Sequence, residues 1–390
     1  MKKIISYLAL ILLLSISVFA VNSIVAVQIR GNTSTKKFVI LNLIGYTKGM
    51  KVNIDKLAMA QNILMSSGLF SNVYMNLKAT NDNYVLIVSV EEKNHISPIF
   101  DLEKGIGIRE NDLFGLGIES EVSLRCFNLS PFKIFLGGYS FSLSSQRTFG
   151  TPFSFKVAFS DLKKMWWSDP WSEFYYDLTR TTAGIGYMLN GDLGFIVSYT
   201  HEDVSTSTTA QLSVNAISLN IHDYPVQTEG KRTYTWWNLY LERGFDNIKY
   251  TVGAVNANLY HRIIGQIYYR LGVYGALNLG DAPFTRKLYF GDTYNLKGYD
   301  SKEFDSHFML LLETRIGVPL TSSFGISKSP ELSVYTPELI PQLALIGYKN
   351  ITLESFKPSI GLGVKINTPF GIFEPEVFYG KELGFYFEMK

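Results

Sequence analysis

The chain has 390 residues, of which 18% are charged and 14% aromatic, so it falls short of the roughly 25% charged share of ordinary globular domains. A formal net charge of +2 gives a nucleic-acid partner no electrostatic support. The single cysteine, Cys126, excludes an intramolecular disulfide framework and a multi-thiolate metal site.

Residues 1–20 predict an export signal. Lys2 and Lys3 supply a positive region, Ile4 to Phe19 an apolar run, and Val18-Phe19-Ala20 the cleavage positions. A membrane anchor is the alternative, but the run is short for a spanning helix. No later segment has 18 consecutive apolar residues, so the mature chain is expected to be either soluble or a barrel.

Residues 21–94 predict a small α/β module of order β-α-α-β-β. Ile24 to Ile29 reads as a strand and Lys36 to Ile44 as a short helix. Asn53 is placed to cap a second helix, whose Leu57, Ala60, Ile63 and Leu64 share one face and which stops at Gly68. Two strands follow, Val73, Met75 and Leu77 in the first and Tyr84 to Val90 in the second, with Asn81-Asp82-Asn83 as the turn.

From residue 95 to 390 the pattern changes to repeated amphipathic strands. Phe308, Leu310, Leu312, Ile316 and Val318 alternate with Met309, Leu311, Glu313, Arg315 and Gly317, so one face is greasy and the other carries charge. Ile267, Tyr269, Leu271, Val273, Leu277 and Leu279 repeat the period, as do Ile360, Leu362, Val364 and Ile366. Ala183 to Leu189, Asn190-Gly191-Asp192 and Phe195 to Tyr199 read as a hairpin with a tight turn. Between Leu212 and Ile221 the phase slips once, which predicts a bulge. Such segments, parted by turn residues, predict a transmembrane β-barrel of about 16 antiparallel strands at roughly 18 residues per strand with its loops. Trp166, Trp167, Trp171, Tyr175, Tyr176, Trp236 and Trp237 are expected as interfacial girdles; a sugar-binding platform is the sharper alternative.

Several motifs carry a family resemblance. Val27 to Asn32, Leu57 to Ser67 with Gly68-Leu69-Phe70, and Val85 to Glu91 resemble a POTRA domain, the periplasmic module of the Omp85 (BamA/TamA) superfamily. Asn111 to Gly117 is similar to that family's Asn-Leu-Phe-Gly-x-Gly turn, and Phe290 to Tyr299 resembles the sixth extracellular loop, which folds back into the lumen. Glu313 to Pro319 is similar to the Glu-x-Arg-x-Pro strand, with Pro319 two residues late, and Asn367 to Gly371 resembles the Thr-Pro-x-Gly turn. Two departures stand out. Lys297 replaces the loop arginine, and Leu345-Ile346-Gly347 stands where the partner Asp-x-Gly is expected.

The resemblance implies a bacterial outer-membrane location with the POTRA domain in the periplasm, and a role as an assembly factor that folds and inserts barrel clients. It implies a lumen-loop motif at Lys297, Gly298 and Tyr299, with Glu313 and Arg315 as lumen partners. Glu313 is the expected partner of Lys297. A lateral seam is expected at Gly105, Gly107, Phe385 and Phe387, although glycines there also serve simply to relieve crowding. The POTRA sheet edge at Val73, Met75 and Leu77 would take extended clients by β-augmentation. The alternative is a two-partner-secretion-type translocation channel, though there is no room for a plug helix between Ala20 and Ile24. A passive pore has no reason to carry a POTRA module. Expected partners are unfolded outer-membrane proteins or one exported polypeptide, outer-membrane lipid and accessory POTRA-bearing proteins, with no nucleic acid.

Enzyme signatures do not support a competing reading. His95, His201, His222, His261 and His307 are scattered without metal-ligand spacing, and Gly105-Ile-Gly107 lacks the third glycine of a dinucleotide fingerprint. No cofactor or metal is expected.

Overall fold

The computed structural model describes residues 23–389 except 81–82, 102–104, 131–132, 170–171, 190–192, 207–210, 224–231, 247, 264–266, 291–295, 300–303, 319, 322–333, 348–350 and 369–370. The expected export signal therefore lies outside the described residues, as does the Asn190-Gly191-Asp192 turn.

In the N-terminal module, β1 (Ile24–Arg30) runs parallel to β3 (Asn83–Glu92), and β2 (Phe70–Thr80) pairs antiparallel with β3, giving the order β1-β3-β2. Helices α1 (Lys37–Ile44) and α2 (Ile54–Ser66) join the core with Val39, Ile40, Leu43, Ala60 and Leu64, which meet Ile24, Phe70, Leu86 and Val88. Asn53 caps α2 by accepting from the Lys56 amide at 3.0 Å. The element order and the capping residue are those read from the sequence.

The remainder is one closed barrel. Its strands are β4 (Ile96–Asp101), β5 (Gly105–Glu110), β6 (Glu119–Ser130), β7 (Lys133–Ser145), β8 (Phe153–Asp169), β9 (Ser172–Met188), β10 (Leu193–Thr206), β11 (Leu212–Asp223), β12 (Thr233–Phe245), β13 (Tyr250–Arg262) and β14 (Tyr268–Gly280). A long loop with a two-stranded ribbon, β15 (Leu288–Phe290) and β16 (Phe304–Ser306), leads to β17 (Phe308–Gly317), β18 (Leu320–Thr321), β19 (Val334–Ile346), β20 (Phe356–Thr368), β21 (Gly371–Tyr379) and β22 (Leu383–Met389). Because β17 and β18 both pair with β19 they form one stave, so the described barrel has 16 staves, closed by β22 against β4.

Alternation sets the two faces. On β17 Leu312 and Ile316 are exposed outward, while Met309, Leu311 and Arg315 are buried inward. Ile360, Leu362, Leu277 and Leu279 are likewise exposed on the outside, where lipid covers them. Inside, rings lie over glycines of the neighbouring stave: Tyr250 over Gly244, Tyr268 over Gly317 and Phe378 over Gly361.

The structure corrects the expected bulge in β11. Its register with β10 is continuous from Leu212 to Asp223. Val214 and Ala216 point inward and Ile217 outward, so both faces are apolar without any slip. The inward pair is dry because the long loop packs on it through Ala282 and Leu288. The girdle expectation also needs correcting, because Tyr176 is buried against Phe284 and Trp236 lines the lumen. The side chains of Trp166, Trp167, Trp171 and Tyr175 lie outside the described residues.

The module is seated on the barrel by two similar turns. Phe114-Gly115, between β5 and β6, and Phe149-Gly150, between β7 and β8, all have positive φ (58°, 73°, 53° and 77°). A Cβ on Gly115 would lie 2.2 Å from the Ser34 carbonyl oxygen, and one on Gly150 2.3 Å from that of Val39. Only glycine permits this approach. Lys36 donates its amide to Gly115 O at 2.9 Å, Asn42 its side-chain amide to Phe149 O at 2.9 Å, and Thr35 its hydroxyl to the buried Asp112 carboxylate at 2.7 Å. Staves alternate in direction, so the ends of β5, β7, β9, β11, β13, β17, β20 and β22 share the module's face.

Candidate functional site

The long loop after β14 starts on the face away from the module and folds into the lumen. Its Lys297-Gly298-Tyr299 segment is fixed to the inner wall. The Lys297 ammonium pairs with the Glu376 carboxylate on β21 and lies 5.2 and 5.4 Å from the Phe378 and Tyr386 rings. Its amide donates to Gln342 Oε1 at 3.1 Å. The Gly298 amide donates to the Tyr386 hydroxyl at 2.8 Å, and its carbonyl accepts from the Lys381 and Glu382 amides at 2.8 and 3.1 Å. With φ of 87° and only 2.6 Å between a virtual Cβ and the Gly380 nitrogen, the position requires glycine. Tyr299 donates its hydroxyl to Pro358 O at 2.8 Å. The segment therefore clasps the turn of the β21–β22 hairpin, next to the stave that closes the barrel.

Glu313 is not the partner of Lys297, contrary to the sequence expectation. It accepts from Arg315 Nε at 2.7 Å and from Gln342 Nε2 at 2.7 Å. Arg315 is the hub: it also reaches Glu338 at 3.1 Å, Glu376 at 2.6 Å and Glu374 at 3.7 Å. The guanidinium fork suits such multiple contacts, whereas the Lys297 ammonium is a point charge. The carboxylate missing from the β19 motif is thus supplied by Glu376 of β21. With lysine in place of arginine, residue 297 contacts a single carboxylate, that of Glu376, among the described residues.

A second anchor was not apparent in the sequence. At the start of the same loop, Arg286 bonds Glu202 of β10 at 3.0 Å and Glu242 of β12 at 2.7 Å. Glu202 also binds Arg180 at 2.6 Å, and Glu242 accepts from Tyr250 at 2.7 Å and from Tyr240. Both carboxylates are buried, and Phe284 packs edge-on against Tyr176 beside them. In the 16-stave ring β10 and β21 are eight staves apart, so the two charge anchors sit on opposite walls. The described parts of the loop, 281–290 and 296–299, thus tie opposite walls of the lumen together as a crossbar. Glu202 and Glu242, acidic residues at inward registers of their strands, were the available sequence signal; the register became certain only with the pairing.

At the closure, β4 and β22 have six and seven residues, against 17 in β8 and β9. Gly105 and Gly107 lie on β5, opposite Asp101 and Ile99, so they are one strand in from the closure rather than on it. A Cβ on Gly107 would meet the Val122 carbonyl oxygen at 2.3 Å, the crowding role. Phe385 points outward, 67% exposed, and Phe387 lies on β22 opposite Pro375. In the module, β2 is an edge strand. Val73 is buried and its carbonyl is occupied by the Gln61 side chain at 2.9 Å, while Met75 and Leu77 turn toward the core. The edge is therefore accessible from Tyr74 onward rather than from Val73.

The POTRA family, described as a surface antigen variable number repeat, matches residues 23–93. Residues 23–93 are a POTRA domain. Over 94% of this chain and 83% of the other, the structure is similar to BamA from Haemophilus ducreyi lacking POTRA domains 1–3, at 12% identity and a TM-score of 0.57. CdiB from Acinetobacter baumannii gives a TM-score of 0.65 at 11% identity, over 93% and 70% of the chains. CdiB from Escherichia coli gives 0.69 at 12% identity, over 95% and 75%. A search among curated protein sequences returns no match. The fold shared with these structures is a 16-stave barrel preceded by a POTRA domain. Among the described residues no helix is long and apolar enough to cross a membrane, and no three His, Cys, Asp or Glu side chains are grouped to hold a metal.

Proposed function

We propose that this protein is a polypeptide translocation channel of the outer membrane, closed at rest by the loop crossbar. The observation that carries this reading is the crossbar itself. It is held by charge pairs on opposite walls of a polar lumen, with no disulfide, so it can leave without unfolding the barrel. The extended substrate would first add to the POTRA edge from Tyr74 onward, where unpaired backbone groups can take a strand. Seating the domain on two Phe-Gly turns fixes that edge relative to the lumen mouth. The higher TM-scores against the two CdiB structures than against BamA support a channel of this kind over an insertase.

A second reading, an insertase that templates client strands at the closure, draws on the short β4 and β22 strands. A client strand must satisfy its backbone hydrogen bonds before it meets hydrocarbon. The deciding experiment uses the protein in liposomes with an unfolded barrel client and, separately, an unfolded exported polypeptide. Protease-protected soluble polypeptide inside the vesicle supports the channel. Faster heat-modifiable folding of the barrel client, without such delivery, supports the insertase and overturns the channel.

A further inference from the structure

The periplasmic third of the lumen holds an unassigned groove of about 470 Å³. Along one wall, three inward tyrosines on consecutive staves form a ladder. Tyr234 stacks on Tyr260 at 4.6 Å and 18°, and Tyr260 on Tyr268 at 5.2 Å and 25°. Tyr268 is held in place by a hydrogen bond from its hydroxyl to Glu338. Arg270 lies directly across from Tyr260, and Arg262 across from Tyr268. Lys365 of β20 faces them over the groove. These residues stand at the end of β13, the start of β14 and the end of β20, which is the POTRA side of the barrel.

The charges are unevenly committed. The carboxylates of the groove, Glu338 and Glu374, are both engaged by Arg315. Arg270 donates to the neutral Asn258 side chain at 2.7 Å, and neither Arg262 nor Lys365 forms an ion pair among the described residues. Arg270 also acts on the Glu313 carboxylate, so the uncommitted cations are Arg262 and Lys365, and a stacked aromatic face bordered by them is complementary to carboxylates carried beside flat or apolar side chains. We propose that this groove is a docking site for an extended acidic polypeptide segment bearing aromatic side chains, the first lumenal surface that an exported chain meets. The ligand class rests on the translocation role proposed above; the groove and its charge do not.

The test uses the full-length protein in detergent, with a fluorescent peptide alternating glutamate and tyrosine as probe. A lysine-tyrosine peptide and polyglucuronate serve as competitors. The acidic peptide is expected to bind by anisotropy, and Tyr260→Ala or the pair Arg262→Gln with Lys365→Gln to weaken it about fivefold to tenfold. Each variant is checked for its heat-modifiable band, and the conservative Tyr260→Phe is expected to retain binding if a variant loses its fold. Equal binding of the acidic and basic peptides, binding unaffected by the variants, or displacement by polyglucuronate but not by unlabelled peptide would each overturn the assignment. Vesicle delivery measured in parallel separates the two ideas. Delivery without peptide binding removes only the groove, and peptide binding without delivery removes only the translocation role.

Discussion

Replacing Arg286 and Lys297 individually with methionine should have unequal consequences. Removing Arg286 strips Glu242 of the cation that reaches it at 2.7 Å, leaving a buried carboxylate with only the Tyr240 and Tyr250 hydroxyls. Glu202 would keep Arg180. Breaking a buried pair in this way costs about 3–5 kcal/mol. Removing Lys297 leaves Glu376 still bonded to Arg315 at 2.6 Å, so no carboxylate is stranded and the cost is about 1 kcal/mol or less. If the crossbar leaves the lumen as proposed, Lys297 is the end that releases and Arg286 the end that stays. In planar bilayers Lys297→Met should raise the open probability with little change in the temperature at which the heat-modifiable band is lost. Arg286→Met should lower that temperature, and adding Glu242→Gln should recover much of the loss by removing the stranded charge. Equal stability loss in the two single variants, or no recovery in the double, would refute the asymmetry.

Gly298→Ala places a methyl against the Gly380 nitrogen at a left-handed φ, so it should cost about 1–3 kcal/mol and expose the β21–β22 turn to added protease. Gly115→Ala and Gly150→Ala should each unseat the POTRA domain, read as loss of crosslinking between cysteines placed at Asn42 and Phe149, with barrel folding retained. Burial alone would raise the Glu92 carboxyl, but hydrogen bonds from Thr33, Ser34 and Thr35 bring it down to about 2 from an ordinary 4.5. Being depressed in the folded state, it stabilises the 33–35 turn above pH 4.5 and loses that contribution as pH falls toward 2. Hydrogen exchange of the Ser34 and Thr35 amides should therefore quicken across that interval in the native protein, and Glu92→Gln should abolish the pH dependence.

The barrel was legible because a period of two shows wherever one face is wet and the other meets lipid, as in β14, β17 and β20. Asn53 and Gly68 marked the second POTRA helix because caps are local chemistry. Reading failed where a face depended on a distant segment. Val214 and Ala216 looked like a phase slip because nothing local shows that the loop at Ala282 and Leu288 dries the lumen wall there. Lys297 was assigned to Glu313, its nearest acidic residue in the motif, whereas Glu376 reaches it only through the closure of the β20–β21 hairpin. Arg286 escaped notice because its partners, Glu202 and Glu242, come from two strands that the sequence does not place side by side with the loop. The first barrel strand, Ile96 to Asp101, is too short to show a period, so the sequence points to Gly105 and Gly107 as the seam although they lie one strand in from it.

The central claim is that the crossbar must leave the lumen for polypeptide to pass. The most direct measurement replaces Lys297 and Glu376 with cysteines in a Cys126→Ser background and bridges them with a cleavable bis-maleimide. Delivery of exported polypeptide into liposomes is then followed before and after cleavage. The account predicts that delivery stops when the bridge is closed and returns when it is cut. Undiminished delivery through the bridged protein would contradict it.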